Sequence, residues 1–262
     1  MDEEKIASIK VIGIGVLGAR AIQIMQDTGW EQVDFCSVDV QEENRKKISW
    51  RGAVMAVILA DWRQYADREA ALKLLADAKS LDVLSLAMVT IPKMEAAEVK
   101  NIPQKLLTAA DAAFILPAVP SEQADDGTDN ATVLADGVRD LLGIIQPRAL
   151  IALDIEDVAK MLSGVGIVSM GKGSATGNNA AVEAVQMAMG KMLPKDIMST
   201  GNIALVAFTA SENEMCLKEL NQAVTLVHDN IHQNAKIMFG VTESGAVGQN
   251  IEVTVIVTQF SL

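Results

Sequence analysis

Three groups of residues in this 262-residue chain are of types and spacings that do chemistry. The first is Gly13-Ile14-Gly15-Val16-Leu17-Gly18-Ala19, set between an apolar run, Ile9–Ile14, and a helical pattern reaching Met25. A glycine turn that opens a helix lets backbone N–H groups approach an anion closely, and the helix dipole adds to the attraction. Asp39 ends the next strand 21 residues after Gly18, so Gly13, Gly15, Gly18 and Asp39 also satisfy a dinucleotide fingerprint, with the acid placed for a ribose hydroxyl. The second group is Asp154 and Asp157, at the start of the helical run Ile155–Leu162, where a cap and a dipole-matched acid are the plain local reading. The third is His228 and His232, one helical turn apart, with Asp229 where zinc hydrolases carry Glu and no third ligand in view. These are read as exposed helix histidines, and no metal site is expected.

The elements that must position these groups follow from periodicity. After the glycine turn and its helix come strand Val33–Val38, a buried strand Ala53–Ala60, helix Trp62–Lys79, and strands Val83–Ile91 and Ala112–Leu116. Strand, glycine turn, helix, strand is the opening of a parallel α/β sheet. The polar stretch Ser121–Asn130 reads as a boundary loop, and Thr132–Ile145 as one long helix stopping before Pro147. Beyond it the pattern gives helix Ile155–Leu162, strand Val165–Met170, a loop Gly171–Asn178 and helix Asn179–Met192. Strand Asn202–Thr209, helix Met215–Ile231 and strands Ala235–Thr242 and Ile251–Phe260 complete it, the last two predicted as a hairpin. The division is residues 1–129, a central helix 130–146, and a second domain 147–262.

Composition removes several functions. Half the residues are apolar, enough for a sizeable core, which excludes intrinsic disorder. Thirty-four acids against 22 bases leave a net charge of −12, so a phosphate backbone is repelled and no nucleic-acid partner is expected. The longest uninterrupted apolar run, Ala53–Ala60, is far short of the ~20 residues that span a bilayer. The start, MDEEKIASIK, lacks the apolar core of a secretory signal, so the expected location is the cytoplasm without membrane insertion. Cys36 and Cys216 stand in apolar settings and are expected to be buried thiols.

Gly137–Val158, GVRDLLGIIQPRALIALDIEDV, resembles the end of the central helix and the following acidic loop of the FtsZ family in the tubulin superfamily. Val165–Leu193 is similar to that family's glycine-containing strand, loop and helix, and Ala235–Phe260 to its terminal hairpin. KVIGIGVLGARAIQIM and FCSVDV stand where it places its first glycine loop and second strand. The resemblance implies a tubulin/FtsZ-like α/β fold: a Rossmann-like parallel-sheet N-terminal domain, a long central helix, and a second α/β domain with a mixed sheet. In that family GTP is held by glycine loops, and the signature Gly/Thr loop would follow Ala53–Ala60. Here that position reads Asp61-Trp62-Arg63-Gln64-Tyr65, and no glycine occurs between Gly52 and Gly127. A carboxylate at a helix entrance caps the helix and repels phosphate. Only Gln41–Gly52 stands where the family has a helix and another phosphate loop, and its base-reading Asn falls on Thr132, beside Asp129 and Asn130. Asp154 and Asp157 match the acidic loop that reaches the neighbouring subunit's nucleotide, with Ala152 replacing its Asn.

The resemblance leads to three functional readings. The first is a cytoskeletal scaffold, a degenerate GTPase that assembles head to tail with itself or another FtsZ-like protein, without GTP hydrolysis or any cofactor. Trp62, Arg63 and Tyr65 of one subunit would then meet Asp154 and Asp157 of the next. The second is a residual GTPase of cell division that binds GTP or GDP, with Asp154 and Asp157 catalytic. The third is a dinucleotide-binding module at Gly13, Gly15, Gly18 and Asp39. Because the last strand reaches the end of the sequence, the family's flexible partner-binding tail is not expected.

Overall fold

Strands made almost wholly of Val, Ile, Leu, Met and Ala can be covered on both faces, and the computed structural model builds its first sheet from them. It describes residues 8–26, 30, 33–40, 48–91, 104–118, 129–145, 149–151, 155–210, 216–243, 250–258 and 260. The chain divides into two units. The first gathers residues up to Lys93 with Ile102–Arg139 and Leu162–Gly166, and the second holds Asp140–Met161 and Ile167–Leu262.

In the first unit β1 (Ser8–Ile14), β2 (Val33–Val38), β3 (Ala53–Ala60), β4 (Leu84–Ile91) and β5 (Ala112–Pro117) form a parallel sheet in the order β2-β1-β3-β4-β5. Met55 to Ala60 of β3 are all buried, as a strand covered on both faces requires. Helix α1 (Gly15–Met25) presents Gly18, Ala21, Ile22 and Met25 inward at helical spacing. Gly13 and Gly18 make that contact close: a Cβ on either would collide with the other's backbone. Helix α2 (Tyr65–Lys79) buries Asp67, Ala70, Ala71, Leu75 and Ala78, so one acid shares its inward stripe. The chain leaves β1 for β2 on one side and β3 on the other. The strand order reverses there, which places a crevice beyond the carboxyl ends of β1, β2 and β3.

At the opposite ends of β4 and β5, a buried polar pin holds register. The Ser85 Oγ donates to Asp111 Oδ2 at 2.8 Å, the Ser85 amide donates to the same oxygen at 2.9 Å, and the Asp111 amide donates to Ser85 Oγ at 3.1 Å. Lys79 Nζ stands 3.4 Å from the second Asp111 oxygen. Short helix α3 (Gln104–Ala109) leads into β5. The long helix α4 (Asn130–Ile144) begins where Asp129 Oδ1 accepts the Thr132 amide at 2.9 Å and its hydroxyl at 3.2 Å, an N-cap contact. The boundary between units falls inside α4, after Arg139.

The second unit contains β6 (Ala149–Ile151), α5 (Ile155–Leu162), β7 (Gly166–Thr176), α6 (Ala180–Met189), α7 (Lys195–Met198), β8 (Ile203–Ala210), α8 (Leu217–His228), β9 (Lys236–Glu243) and β10 (Asn250–Thr258). Its sheet runs β7-β10-β8-β9-β6 and is mixed, with only β8 and β9 parallel. Four expectations are corrected here. The strands β9 and β10 are not a hairpin, because β8 lies between them and pairs with both. Alternation identifies a strand, not its partner, and the mostly buried β8 takes the inner place.

The glycine-rich Gly171–Thr176 is not a loop but the second half of β7. A Cβ on Gly171 would collide with the Ala188 carbonyl and one on Gly173 with the Ala184 carbonyl, so these glycines let α6 lie directly on the strand. His228 ends α8 and His232 lies beyond it, so the two do not share a helix face. Cys216 is exposed and Cys36 half-buried, so neither is the fully buried thiol expected.

Replacing Asp111 with Ala leaves the buried Ser85 amide and hydroxyl without their acceptor. Loss of such a buried network costs about 2–4 kcal/mol. Urea unfolding of Asp111→Ala is expected to show that loss, with the helix signature of the remaining folded protein unchanged.

Candidate functional site

The crevice beyond β1, β2 and β3 is a cleft of about 980 Å³. Its floor comes from the sheet and helix starts: Gly15, Val16 and Leu17 after β1, Ser37 to Val40 at the end of β2, and Asp61, Gln64 and Asp67 after β3. Asp129 and Asn130 at the head of α4 complete it. Gly15 has φ +66°, a conformation that glycine adopts without strain.

The open space that glycine leaves is already taken. A Cβ at Gly15 would collide with both carboxylate oxygens and Cγ of Asp67, so the Asp67 side chain is packed onto the turn itself. Asp67 is only 6% exposed. Burial raises its pKa first, and the charges of Asp61 and Asp39 raise it further. The cleft therefore holds a partly disfavoured carboxylate at the place where an incoming anion would need room.

Two other acids of the cleft are neutralised from within. Asp61 does not cap α2, as sequence alone suggested; it folds a turn around Arg63. The Arg63 amide donates to Asp61 Oδ1 at 3.0 Å, and its guanidinium makes a two-pronged contact, Nε to Oδ1 and Nη2 to Oδ2, each at 2.9 Å. Burial pushes the Asp61 carboxyl up, and the hydrogen bonds and charge of Arg63 outweigh it, leaving it below its ordinary value. Asp129 is held by Arg20 Nη2 at 2.7 Å besides its capping contacts. There too burial opposes ionisation, and the Thr132 hydrogen bonds with the Arg20 charge outweigh it.

Of the residues singled out by sequence, Gly15 and Asp39 line the cleft together. Gly13 and Gly18 instead set the approach of α1 to β1. Trp62 is 8% exposed, buried and not displayed, and its indole N–H has no hydrogen-bond partner among the described residues. Tyr65 is the presented aromatic, 68% exposed, with the Arg68 guanidinium 5.3 Å from its ring centroid. Asp157 is exposed on α5, with its carboxylate 3.7 Å from Lys160 Nζ. Asp154 and Ala152 lie outside the described residues. Thr132 serves the helix cap. Sequence reasoning missed Asp67 and Arg20; the available signal was an acid on the apolar stripe of α2.

A carboxyl whose pKa is raised by folding makes the folded state less stable as pH rises from the ordinary carboxylate range through the raised value. Asp67→Asn, which keeps the shape and removes the charge, is expected to melt at a higher temperature than the parent near neutral pH. That advantage vanishes below the ordinary carboxylate range, where Asp67 is protonated in both states. Thermal unfolding followed across pH reads both arms.

Comparison with known proteins bears on this geometry. Residues 166–261 match the C-terminal domain of the FtsZ family. An FtsZ dimer from M. jannaschii, solved empty, superposes with a TM-score of 0.79 at 19% identity over 96% of this chain and 88% of that one. A point mutant of FtsZ from the same source gives 0.78 at 21% identity, covering 96% and 91%. CetZ2 from Haloferax volcanii, a GTPγS-bound protofilament, gives 0.73 at 16% identity, covering 97% and 93%. Both described sheets take part in this likeness, the parallel one that carries the cleft and the mixed one of the C-terminal domain. The chain has the tubulin/FtsZ fold, and its residues 166–261 match the C-terminal domain of the FtsZ family.

Proposed function

We propose that the chain is a cytoskeletal scaffold subunit that assembles head to tail, with itself or with another FtsZ-like chain, without binding or hydrolysing GTP. The observation that carries this reading is the Asp67 carboxylate packed onto Gly15. A triphosphate needs glycine N–H groups and open space at that turn, and here it would meet a buried like charge. Among the described residues, the Arg63 and Arg20 guanidinium groups beside the cleft are committed to Asp61 and Asp129 and so are not offered to a phosphate. The residues present therefore do not suit a magnesium-bound triphosphate, and no hydrolytic step is assigned to Asp154 or Asp157.

Self-association is supported by the company the fold keeps. The FtsZ it resembles was solved as a dimer and CetZ2 as a protofilament. In subunits stacked head to tail the contact is heterologous and gives open polymers. Tyr65 and Val16 are exposed beside the cleft, the latter at 88%, and the half-buried Arg68 lies against the Tyr65 ring. Aromatic and Arg side chains carry a large share of interface affinity, so Tyr65 takes the role in assembly first given to the Trp62–Arg63–Tyr65 trio.

Sedimentation of the purified protein without nucleotide tests the reading. The parent chain is expected to form oligomers whose size grows with concentration. Tyr65→Ala should lower the assembled fraction severalfold while leaving the melting temperature within about 1–2 °C, since exposed substitutions cost little stability. Trp62→Ala should act differently, lowering stability by about 3–5 kcal/mol because its ring is buried. A parent chain that stays monomeric at every concentration tested would overturn the assembly reading.

A further inference from the structure

Helices α6 and α8 lie against each other in the second unit and bury their inner stripes, Ala184, Val185 and Ala188 from one and Leu220, Ala223 and Val227 from the other. Glu219 Oε1 of α8 accepts the Ala181 amide of α6 at 2.8 Å, which ties the two helix starts together. Their outer sides form a groove of about 1040 Å³ that opens to solvent. Both helices are described from end to end.

The outside of a surface helix is ordinarily charged, and this groove departs from that pattern. It sets Val182, Leu217 and Leu226 among the uncharged Gln186, Asn221 and Gln222. Leu217 is 70% exposed, and Met187, the neighbour of Gln186 on α6, is exposed as well. The charged side chains lining the groove, among the described residues, are Glu183 on α6 and Lys218 and Asp229 on α8. Exposed aliphatic groups with charge thinned out around them mark the core of a protein contact.

Charge decides the partner. The chain carries −12, so a second copy is repelled along most approaches and can dock only where charge nearly balances. A basic partner would be drawn to a more acidic face than this one, and an acidic partner to a basic face. A face with an acid on one helix and a base on the other suits its own image. Rotation about a twofold axis along the groove lays α6 of one copy over α8 of the other. Glu183 then meets Lys218 of the second copy, and the pairing occurs twice, as an isologous contact requires. Lys218 stands in the first turn of α8, where the helix dipole disfavours a base, and an incoming acid offsets that cost.

We propose that a second copy of this chain docks on the α6–α8 face as a twofold pair, with Leu217 of each copy in the other's groove and Glu183 against Lys218 across the axis. The pair uses none of the residues assigned to head-to-tail assembly and stands without that reading. Helices of 10 and 12 residues make a face about 15–18 Å long, small beside obligate dimer interfaces, so the pair is reversible and concentration-dependent.

Sedimentation of the full chain over a range of concentrations tests it, in a Tyr65→Ala background that weakens open-ended growth. That background is expected to pass from monomer to dimer and stop there. Glu183→Lys or Lys218→Glu, added singly, should each weaken the dimer about tenfold or more, because like charges then meet twice. Mixed in equal amounts, the two variants should recover a dimer of one of each. Leu217→Ser should weaken the dimer without any change of charge. All three positions are exposed, so melting temperatures are expected to stay within about 2 °C of the background. A Tyr65→Ala chain that is monomeric at every concentration overturns the proposal, and so does a mixture no more dimeric than its components. A parent chain that stops at dimers overturns head-to-tail assembly and leaves the twofold pair standing. Open growth that survives Tyr65→Ala counts against the role given to Tyr65, and the mixing experiment still decides the pair.

Discussion

One packing constraint governs the site: the turn at Gly15 has room for a single group, and the chain fills that room with its own carboxylate. Everything around it follows. The parallel register of β1 with β2 and β3 brings Gly15, Asp39 and Asp61 to one edge of the sheet. The close contact of Gly13 with Gly18 lowers α1 onto β1 and fixes where the turn points. Because Asp67 falls on the buried stripe of α2, docking that helix drives the carboxylate onto the glycine.

The remaining charges are arranged to tolerate this. Without Arg63, Asp61 would stand beside Asp67 as a second bare acid at the end of β3. The tight Asp61–Arg63 turn neutralises it and leaves the pair rigid. Arg20 does the same for Asp129 while Asp129 caps α4, so one carboxylate serves both electrostatics and helix initiation. In the second unit the comparable ion pair is Lys172 with Asp140 and Glu252, which joins α4 to β7 and β10. Burial opposes the Lys172 charge, and its two acids more than restore it, so its pKa lies above the ordinary value.

Much of this was legible in the amino-acid sequence, and the reasons for the exceptions are specific. Apolar runs broken by a glycine turn announced the parallel sheet, and α5 spans the very residues its periodicity indicated, Ile155–Leu162. The likeness of the C-terminal segments to the FtsZ family reached the same domain that the family comparison marks. Strand partnership was not legible, since β8 between β9 and β10 depends on which strand best tolerates burial on both faces. Gly171 and Gly173 read as a loop because local propensity cannot see the helix that rests on them. Asp67 was not singled out in the sequence; only the fold shows that its side of the helix faces Gly15. The loss of the Gly/Thr loop was visible in Asp61-Trp62-Arg63-Gln64-Tyr65, yet the inward turn of Trp62 and the internal pairing of Arg63 were not.

The central claim is that the cleft is closed to triphosphates by its own carboxylates. Calorimetric titration of magnesium–GTP into the purified chain near neutral pH tests it most directly. The account predicts no saturable heat, at any protein concentration that leaves the chain folded. A saturable isotherm with one GTP per chain would contradict it, because such binding would require Asp67 to leave Gly15.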